Sequence, residues 1–256
     1  MTASRFGSAE AFSDSARAYQ STMAMALEPV AAEVVRRAGL RAGERVLDVG
    51  TGTGTAARMA LGEGRSVTGL DAAAGMLAIA REEVRGAEFI EADFTAIPLD
   101  DRSVDVVLAV HALLFASDRV EALREWLRVT APDGRLSLSV PGPGDVTPTA
   151  IFSEIYDRHG VDWSRRDYPQ LEELGRWARD AGWEDVAVDA DRTAVIPLAD
   201  DAAFLTWLRV GRSLAGWTPE RLEELGREMM AIAPQGADGG YRIPFGAQYL
   251  SAVRSG

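Results

Sequence analysis

Asp48-Val49-Gly50-Thr51-Gly52-Thr53-Gly54 places three glycines at alternate positions directly after a short β-branched run. A glycine-rich turn at such a junction lets backbone approach a ligand closely and aims the following helix at it. The usual dinucleotide fingerprint is Gly-x-Gly-x-x-Gly, and here Thr55 stands where the third glycine would be. Asp71 ends the next run, Val67-Thr68-Gly69-Leu70-Asp71. A carboxylate at that edge can accept both hydroxyls of a ribose. Asp93-Phe94 ends a third run, pairing an acceptor for the amino group of a base with a ring that can cover it. His111 follows a fourth, in Ala109-Val110-His111-Ala112. Histidine ordinarily titrates near pH ~6.5, so it can accept a phenol or hydroxyl proton; the plainer reading is a histidine that caps its strand.

The elements that must position these residues follow from periodicity. Residues 8–38 carry apolar side chains on a helical period, with Gly39 at the expected C-terminus and Pro29 predicting a break between two helices. Strands are predicted at Arg45–Val49, Ser66–Leu70, Glu88–Ala92, Val104–Val110 and Arg135–Val140, separated by helices at Ala56–Leu61, Ala73–Val84 and Arg119–Val129. The alternation implies an α/β fold with helices on both faces of a mostly parallel sheet. Val104–Val110 is apolar except for Asp105, as a doubly buried central strand requires. Beyond Val140, helices are expected near Ile151–Arg158 and Leu171–Ala181, strands at Glu184–Val195 and Tyr241–Val253, and a helical stretch between the last two.

Composition removes several chemistries. The 256 residues include no cysteine, and all 27 basic residues are arginine. Thiolate catalysis, disulfides, cysteine-bound metals and lysine Schiff bases are therefore excluded. Asparagine is absent as well, and only His111 and His159 could offer imidazole to a metal. The net charge of −12 disfavours nucleic acid and anionic membranes as partners. No apolar run of signal or membrane-span length occurs, so the expected location is cytoplasmic.

The glycine turn, Asp71, Met76, Asp93-Phe94, Ile97-Pro98-Leu99…Ser103-Val104-Asp105 and Arg128–Leu136 together resemble class I S-adenosylmethionine-dependent methyltransferases. The similarity is greatest to the small-molecule branch that includes the menaquinone and ubiquinone biosynthesis enzymes. In Ala131-Pro132-Asp133-Gly134, Asp133 replaces the first glycine of that branch's turn. The resemblance implies a Rossmann-like seven-stranded sheet and S-adenosylmethionine, or S-adenosylhomocysteine, as cofactor. Gly50 and Gly52, flanked by Thr51, would pass beside its methionine part, with Asp48 setting the turn. Asp71 would hold the ribose, Ala72 and Met76 would flank the adenine, and Asp93 and Phe94 would meet its amino group and ring. Ala109 would also bind the cofactor. Tyr19 either closes over the cofactor or packs on the sheet.

The expected organisation is an N-terminal helical cap (1–39), a cofactor-binding core (40–199 and 240–256) and a helical lid (200–239). Phe204, Trp207 and Trp217 in the lid, with His159, are candidates to bind an apolar or aromatic acceptor; ordinary helix packing or a dimer surface is the alternative reading of that segment. The expected reaction is direct displacement of methyl onto a small organic acceptor, with His111 as catalytic group. The alternatives are a non-methylating use of the cofactor and a protein or RNA acceptor. The partner is a small molecule rather than nucleic acid or membrane, and the chain is a monomer or homodimer. No metal is expected, because the two histidines are far apart and no acidic cluster can be placed beside the acceptor. A chelator should accordingly leave methyl transfer intact; loss of activity restored by Mg²⁺ would overturn this.

Overall fold

The computed structural model describes residues 8–161, 168–209 and 217–256. Helices α1 (Ala9–Asp14), α2 (Ala16–Tyr19) and α3 (Met25–Ala38) lead into the alternating region, α2 and α3 being joined through a single π-helical turn, Gln20–Ala24. Then follow β1 (Arg45–Val49), α4 (Thr55–Ala60), β2 (Ser66–Asp71), α5 (Ala74–Glu83), β3 (Glu88–Glu91), β4 (Val104–Val110), α6 (Arg119–Val129) and β5 (Thr130–Pro141). The remainder is α7 (Pro148–Arg158), α8 (Leu171–Asp180), β6 (Glu184–Asp191), β7 (Val195–Leu198), α9 (Asp201–Arg209), α10 (Pro219–Ile232), β8 (Tyr241–Pro244) and β9 (Ala247–Val253).

Seven strands form one sheet in the order β3-β2-β1-β4-β5-β9-β6. The first five run parallel and β9 runs antiparallel between β5 and β6. The expected α/β class and the count of seven strands hold. One face packs on α6 and α8 around Trp126, Leu123 and Leu174, the other on α3 and α4 around Val30, Val34 and Ala57. Asp105, the single charge in β4, lies toward the sheet's edge with Arg45, whose backbone N–H and guanidinium both bond it at 2.7–3.0 Å.

Pro29 does not break the first helix; it lies inside α3. The carbonyl left without its N–H partner belongs to Met25, a residue 63% exposed, so water can satisfy it. The strand expected over Glu184–Val195 divides because Thr193 folds back, its N–H and hydroxyl both bonding Asp191 at 2.7 Å. Tyr241–Val253 divides at Phe245-Gly246, where the Gly246 N–H reaches the Val146 carbonyl (2.9 Å) and its carbonyl accepts from Gly142 (2.8 Å). The two freed segments, β7 and β8, pair antiparallel as a separate ribbon. With α7, α9 and α10 this ribbon builds a second core around Phe152, Tyr156, Phe204, Trp207 and Tyr241. The 200–239 segment expected as a lid thus shares its core with α7 and both ribbon strands.

Asp133, standing where the turn that this segment resembles has glycine, adopts φ +59, a left-handed conformation that aspartate tolerates better than most residues. Gly134 beside it is confined: a β-carbon there would lie 2.7 Å from the Ala131 carbonyl and 2.9 Å from that of Asp105, and would overlap the Thr130 methyl. Gly134→Ala should destabilise the fold by ~1–3 kcal/mol, the usual cost of overpacking, read as a lower urea midpoint.

Candidate functional site

The parallel register brings the ends of β1, β2 and β4 to one edge. Val49 pairs with Leu70, and Asp48 with Leu108. Asp48, Asp71 and His111 therefore emerge side by side, where ligands bind in open α/β sheets. The turn between β1 and α4 is built by Asp48 itself. Its carboxylate is 1% exposed and its Oδ2 accepts from the Thr51 hydroxyl (2.6 Å) and the Ala57 N–H (3.0 Å). The turn is pinned to β2 by the Thr51 N–H on the Leu70 carbonyl (2.9 Å). Gly50 and Gly52 sit at φ +64 and +56. A β-carbon on Gly50 would lie 2.5 Å from that of Ala112, so the segment after β4 presses directly on the turn.

Asp71 accepts the Gly52 N–H on Oδ2 (2.8 Å) and the Ala73 N–H on Oδ1 (2.9 Å). Burial nevertheless raises its pKa. Each of its oxygens retains a second acceptor lone pair. Tyr19 covers this arrangement: its ring would be 3.8 Å from a β-carbon on Gly52. Burial first, then the fields of Asp71 and Asp48, push its phenol well up. A cavity of about 20 Å³, room for about one water, remains between Tyr19, Asp48, Gly50, Thr51, Thr53 and Val110.

Two features here escaped the sequence reading. Thr53 is 4% exposed and its hydroxyl has no partner among the described residues, yet it lines that cavity. Thr51, the threonine expected to flank the ligand, spends its hydroxyl on Asp48. Ala109 is likewise displaced by Val110, because successive strand residues face opposite ways: Ala109 is wholly buried against the α6–α8 layer and Val110 lines the cavity. The burial of Thr53 carried no signal in a run of Gly-Thr repeats; strand alternation could have selected Val110.

Asp93 is exposed, with Oδ1 held by the Thr95 N–H and hydroxyl at 2.9 and 2.7 Å. Phe94 is half-buried edge-on against Trp126, with centroids 6.1 Å apart. Ala72 is exposed between β2 and α5, and Met76 is buried beneath Ala16, Phe12 and Tyr19 of the N-terminal helices.

His111 has φ +58, costing ~1–2 kcal/mol for a residue with a β-carbon. Its Nδ1 lies 3.1 Å from the Ser139 hydroxyl oxygen, its ring meets Phe245 edge-on at 5.4 Å, and its Nε2 is buried without a partner among the described residues. An unmet nitrogen of this kind costs a further ~1–3 kcal/mol. Burial pushes its pKa down to about 4, against a smaller opposing effect of the Ser139 carbonyl. The ordinary histidine pKa expected from sequence therefore does not apply: the ring is neutral at pH 7.

The acceptor candidates do not converge on His111. Phe204 and Trp207 pack into the interior of the cap, 0% and 2% exposed, Phe204 meeting Phe152, Trp207 and Tyr241 edge-on. His159 ends α7 and bonds Glu228 of α10 at 3.1 Å. Trp217 carries the Arg221 guanidinium 3.7 Å over its ring. Packing has consumed the apolar face that read as pocket surface.

A Rossmann-like sheet with a glycine turn, two carboxylates and a strained histidine at one edge defines a nucleotide-cofactor enzyme. The methyltransferase-domain family matches residues 47–138, which span that edge. A demethylmenaquinone methyltransferase of Renibacterium salmoninarum is 34% identical over 171 residues, covering 60% of this chain and 72% of that protein. A malonyl-[acyl-carrier protein] O-methyltransferase of Serratia marcescens is 33% identical over 138 residues, 54% of each chain. The fold is also that of a Haemonchus contortus phosphoethanolamine N-methyltransferase solved with phosphomonomethylethanolamine and S-adenosylhomocysteine (TM-score 0.59, 22% identity, 89% of this chain and 53% of that one). The chain belongs to the class I S-adenosylmethionine-dependent small-molecule methyltransferases.

The buried Asp48 carboxyl titrates near pH 7, raised by desolvation despite its two hydrogen bonds. The folded state thus holds a proton that the unfolded chain releases near pH ~4. That contribution to stability is full below about pH 4 and is lost as pH rises through about 7. Asp48→Asn, which keeps an oxygen for Thr51 and Ala57, should gain stability relative to wild type between about pH 5 and 8, measured as the difference in urea midpoints. A constant difference would overturn the assignment.

Proposed function

We propose that this chain methylates a small apolar or aromatic acceptor held between the carboxyl edge of its sheet and the cap. The reading rests above all on the shared edge of the glycine turn, Asp71 and His111. The site fits the cofactor on two counts: Thr53 offers a buried hydroxyl with no protein partner, and Gly52 leaves space under Tyr19 that a side chain would fill. Gly50, Gly52 and Thr53 would hold its methionine portion, Asp71 its ribose, and Asp93 its base. When bound, S-adenosylmethionine supplies a methyl group on a sulfonium, a leaving group that departs as a neutral thioether.

The chain's own residues then have three tasks. Tyr19 and the N-terminal helices exclude water from the turn. Asp48 fixes the backbone against which the nucleoside aligns, and alignment alone can supply ~7–11 kcal/mol of barrier lowering. His111 presents a neutral imidazole to the acceptor side. The demethylmenaquinone methyltransferase relative favours an aromatic acceptor. The interior packing of Phe204 and Trp207 leaves Phe245, beside His111, as the cap-side ring best placed to meet one.

Calorimetry with S-adenosylhomocysteine tests the cofactor half. Asp71→Ala should weaken binding by ~1–3 kcal/mol through loss of charge-assisted ribose contacts; unchanged affinity removes Asp71 from the site. Incubation with methyl-labelled cofactor and a panel of aromatic hydroxyl and carboxylate compounds tests the acceptor half, and label appearing only on added protein or RNA would overturn it.

A further inference from the structure

Ser139 lies on β5 and is fully buried. Its carbonyl accepts the His111 backbone N–H at 2.9 Å. Its hydroxyl has one hydrogen-bond partner among the described residues, His111 Nδ1 at 3.1 Å. Neutral imidazole can share its single proton with that hydroxyl in two ways. If Nδ1 carries it, that N–H can go to the Ser139 hydroxyl or carbonyl oxygen, but the serine O–H then has no acceptor among the described residues and the bare Nε2 is unpaired too. If Nε2 carries it, the serine O–H donates to Nδ1 and only the Nε2 N–H lacks a partner. The second arrangement leaves one unmet group instead of two, and buried polar groups are paired wherever geometry permits.

We propose that Ser139 is a positioning residue that locks His111 in its Nε2–H form, so that the unpartnered nitrogen is a hydrogen-bond donor to the acceptor rather than a base. This rests on the methyltransferase reading of the same edge and narrows it. Burial keeps the ring neutral at physiological pH, so one nitrogen is protonated and the other bare. A donor placed on the reacting atom would blunt its lone pair. The donor is productive on an oxygen conjugated to that atom, as in a carboxylate or an enolate-type anion. One oxygen then sits on Nε2–H while the other end of the anion attacks the methyl carbon. The new bond takes the anion's electron pair, the C–S pair stays on sulfur, and a carboxylate acceptor needs no proton transfer at His111. The acceptor class is a small conjugated oxyanion.

The tautomer can be read without cofactor or acceptor. In full-length protein labelled with ¹⁵N-histidine, long-range ¹H–¹⁵N spectra separate the protonated from the bare ring nitrogen, and His159→Gln assigns the two residues. His111 should show a protonated Nε2 and a bare Nδ1. Ser139→Ala should mix or invert the pattern and Ser139→Thr should restore it, a dependence that a purely structural serine would not produce. Protonation at Nδ1 in the wild type, or a pattern indifferent to Ser139→Ala, overturns the proposal. Benzoate, added to protein saturated with S-adenosylhomocysteine, then probes the acceptor class. It should shift the His111 Nε2–H resonance, and no shift up to its solubility limit rejects the conjugated oxyanion. Failure of S-adenosylhomocysteine to bind would instead count against the methyltransferase reading and leave the tautomer result standing.

Discussion

A single buried carboxylate, Asp48, fixes the geometry from which the rest of the site is measured. By taking the Thr51 hydroxyl and the Ala57 N–H on one oxygen, it ties the last residues of β1 to the first turn of α4. The glycines between them have no side chains to define their path, so the path is defined from outside. Asp48 sets it from below, Asp71 holds the Gly52 N–H from the next strand, and Ala112, just after β4, presses on Gly50. Three neighbouring strands thus constrain one loop, and a ligand placed on that loop is placed relative to His111.

The edge is built from groups whose ionisation burial opposes in an otherwise strongly acidic protein. Desolvation raises Asp48 and Asp71 and depresses His111. Their contributions to stability oppose one another. Asp48 loses its contribution as pH climbs from about 4 to about 7, whereas the neutral His111 regains stability as the unfolded chain gives up its histidine proton near pH ~6.5. A cationic ligand approaching the turn would favour ionised Asp48 and Asp71 over their protonated forms. A positively charged group is thus favoured on the glycine side, where the two carboxylates stand, while the imidazole beside them stays neutral.

Much of this was legible in the sequence because the determinants are local. The Gly50-x-Gly52-x-Gly54 spacing, the acidic ends of the second and third runs and the β-branched alternation each sit within a few residues of the feature they specify. What stayed hidden depends on partners distant in sequence. Only the fold reveals that Thr51 is consumed by Asp48, that Thr53 has no partner among the described residues, or that Ser139 stands against His111 from the next strand. The cap was misjudged for the same reason. A helical face bearing Phe204 and Trp207 looks alike whether it lines a pocket or packs against Phe152 and Tyr241, and β8 and the first residue of β7 read as continuations of the strands they adjoin. Pro29 misled because the cost of a missing N–H depends on whether the orphaned carbonyl meets water.

Chemistry and selectivity are consequently carried by different parts of the chain. The parallel sheet and the hydrogen bonds that fix its turn determine where a methyl donor can lie. The cap has its own aromatic core, sealed without lending those rings to a ligand, and it joins the sheet through Phe245-Gly246 and the Gly142 backbone. Phe245 packs on both the cap core and the core beneath β9, and its ring touches His111. A change in how the cap seats would therefore reach the imidazole through one aromatic contact. Ser139 and the strained backbone of His111 hold the ring from the sheet side. The imidazole is therefore held from two independent bodies of packing, Ser139 on β5 and Phe245 at the junction of the two cores, so its orientation depends on both.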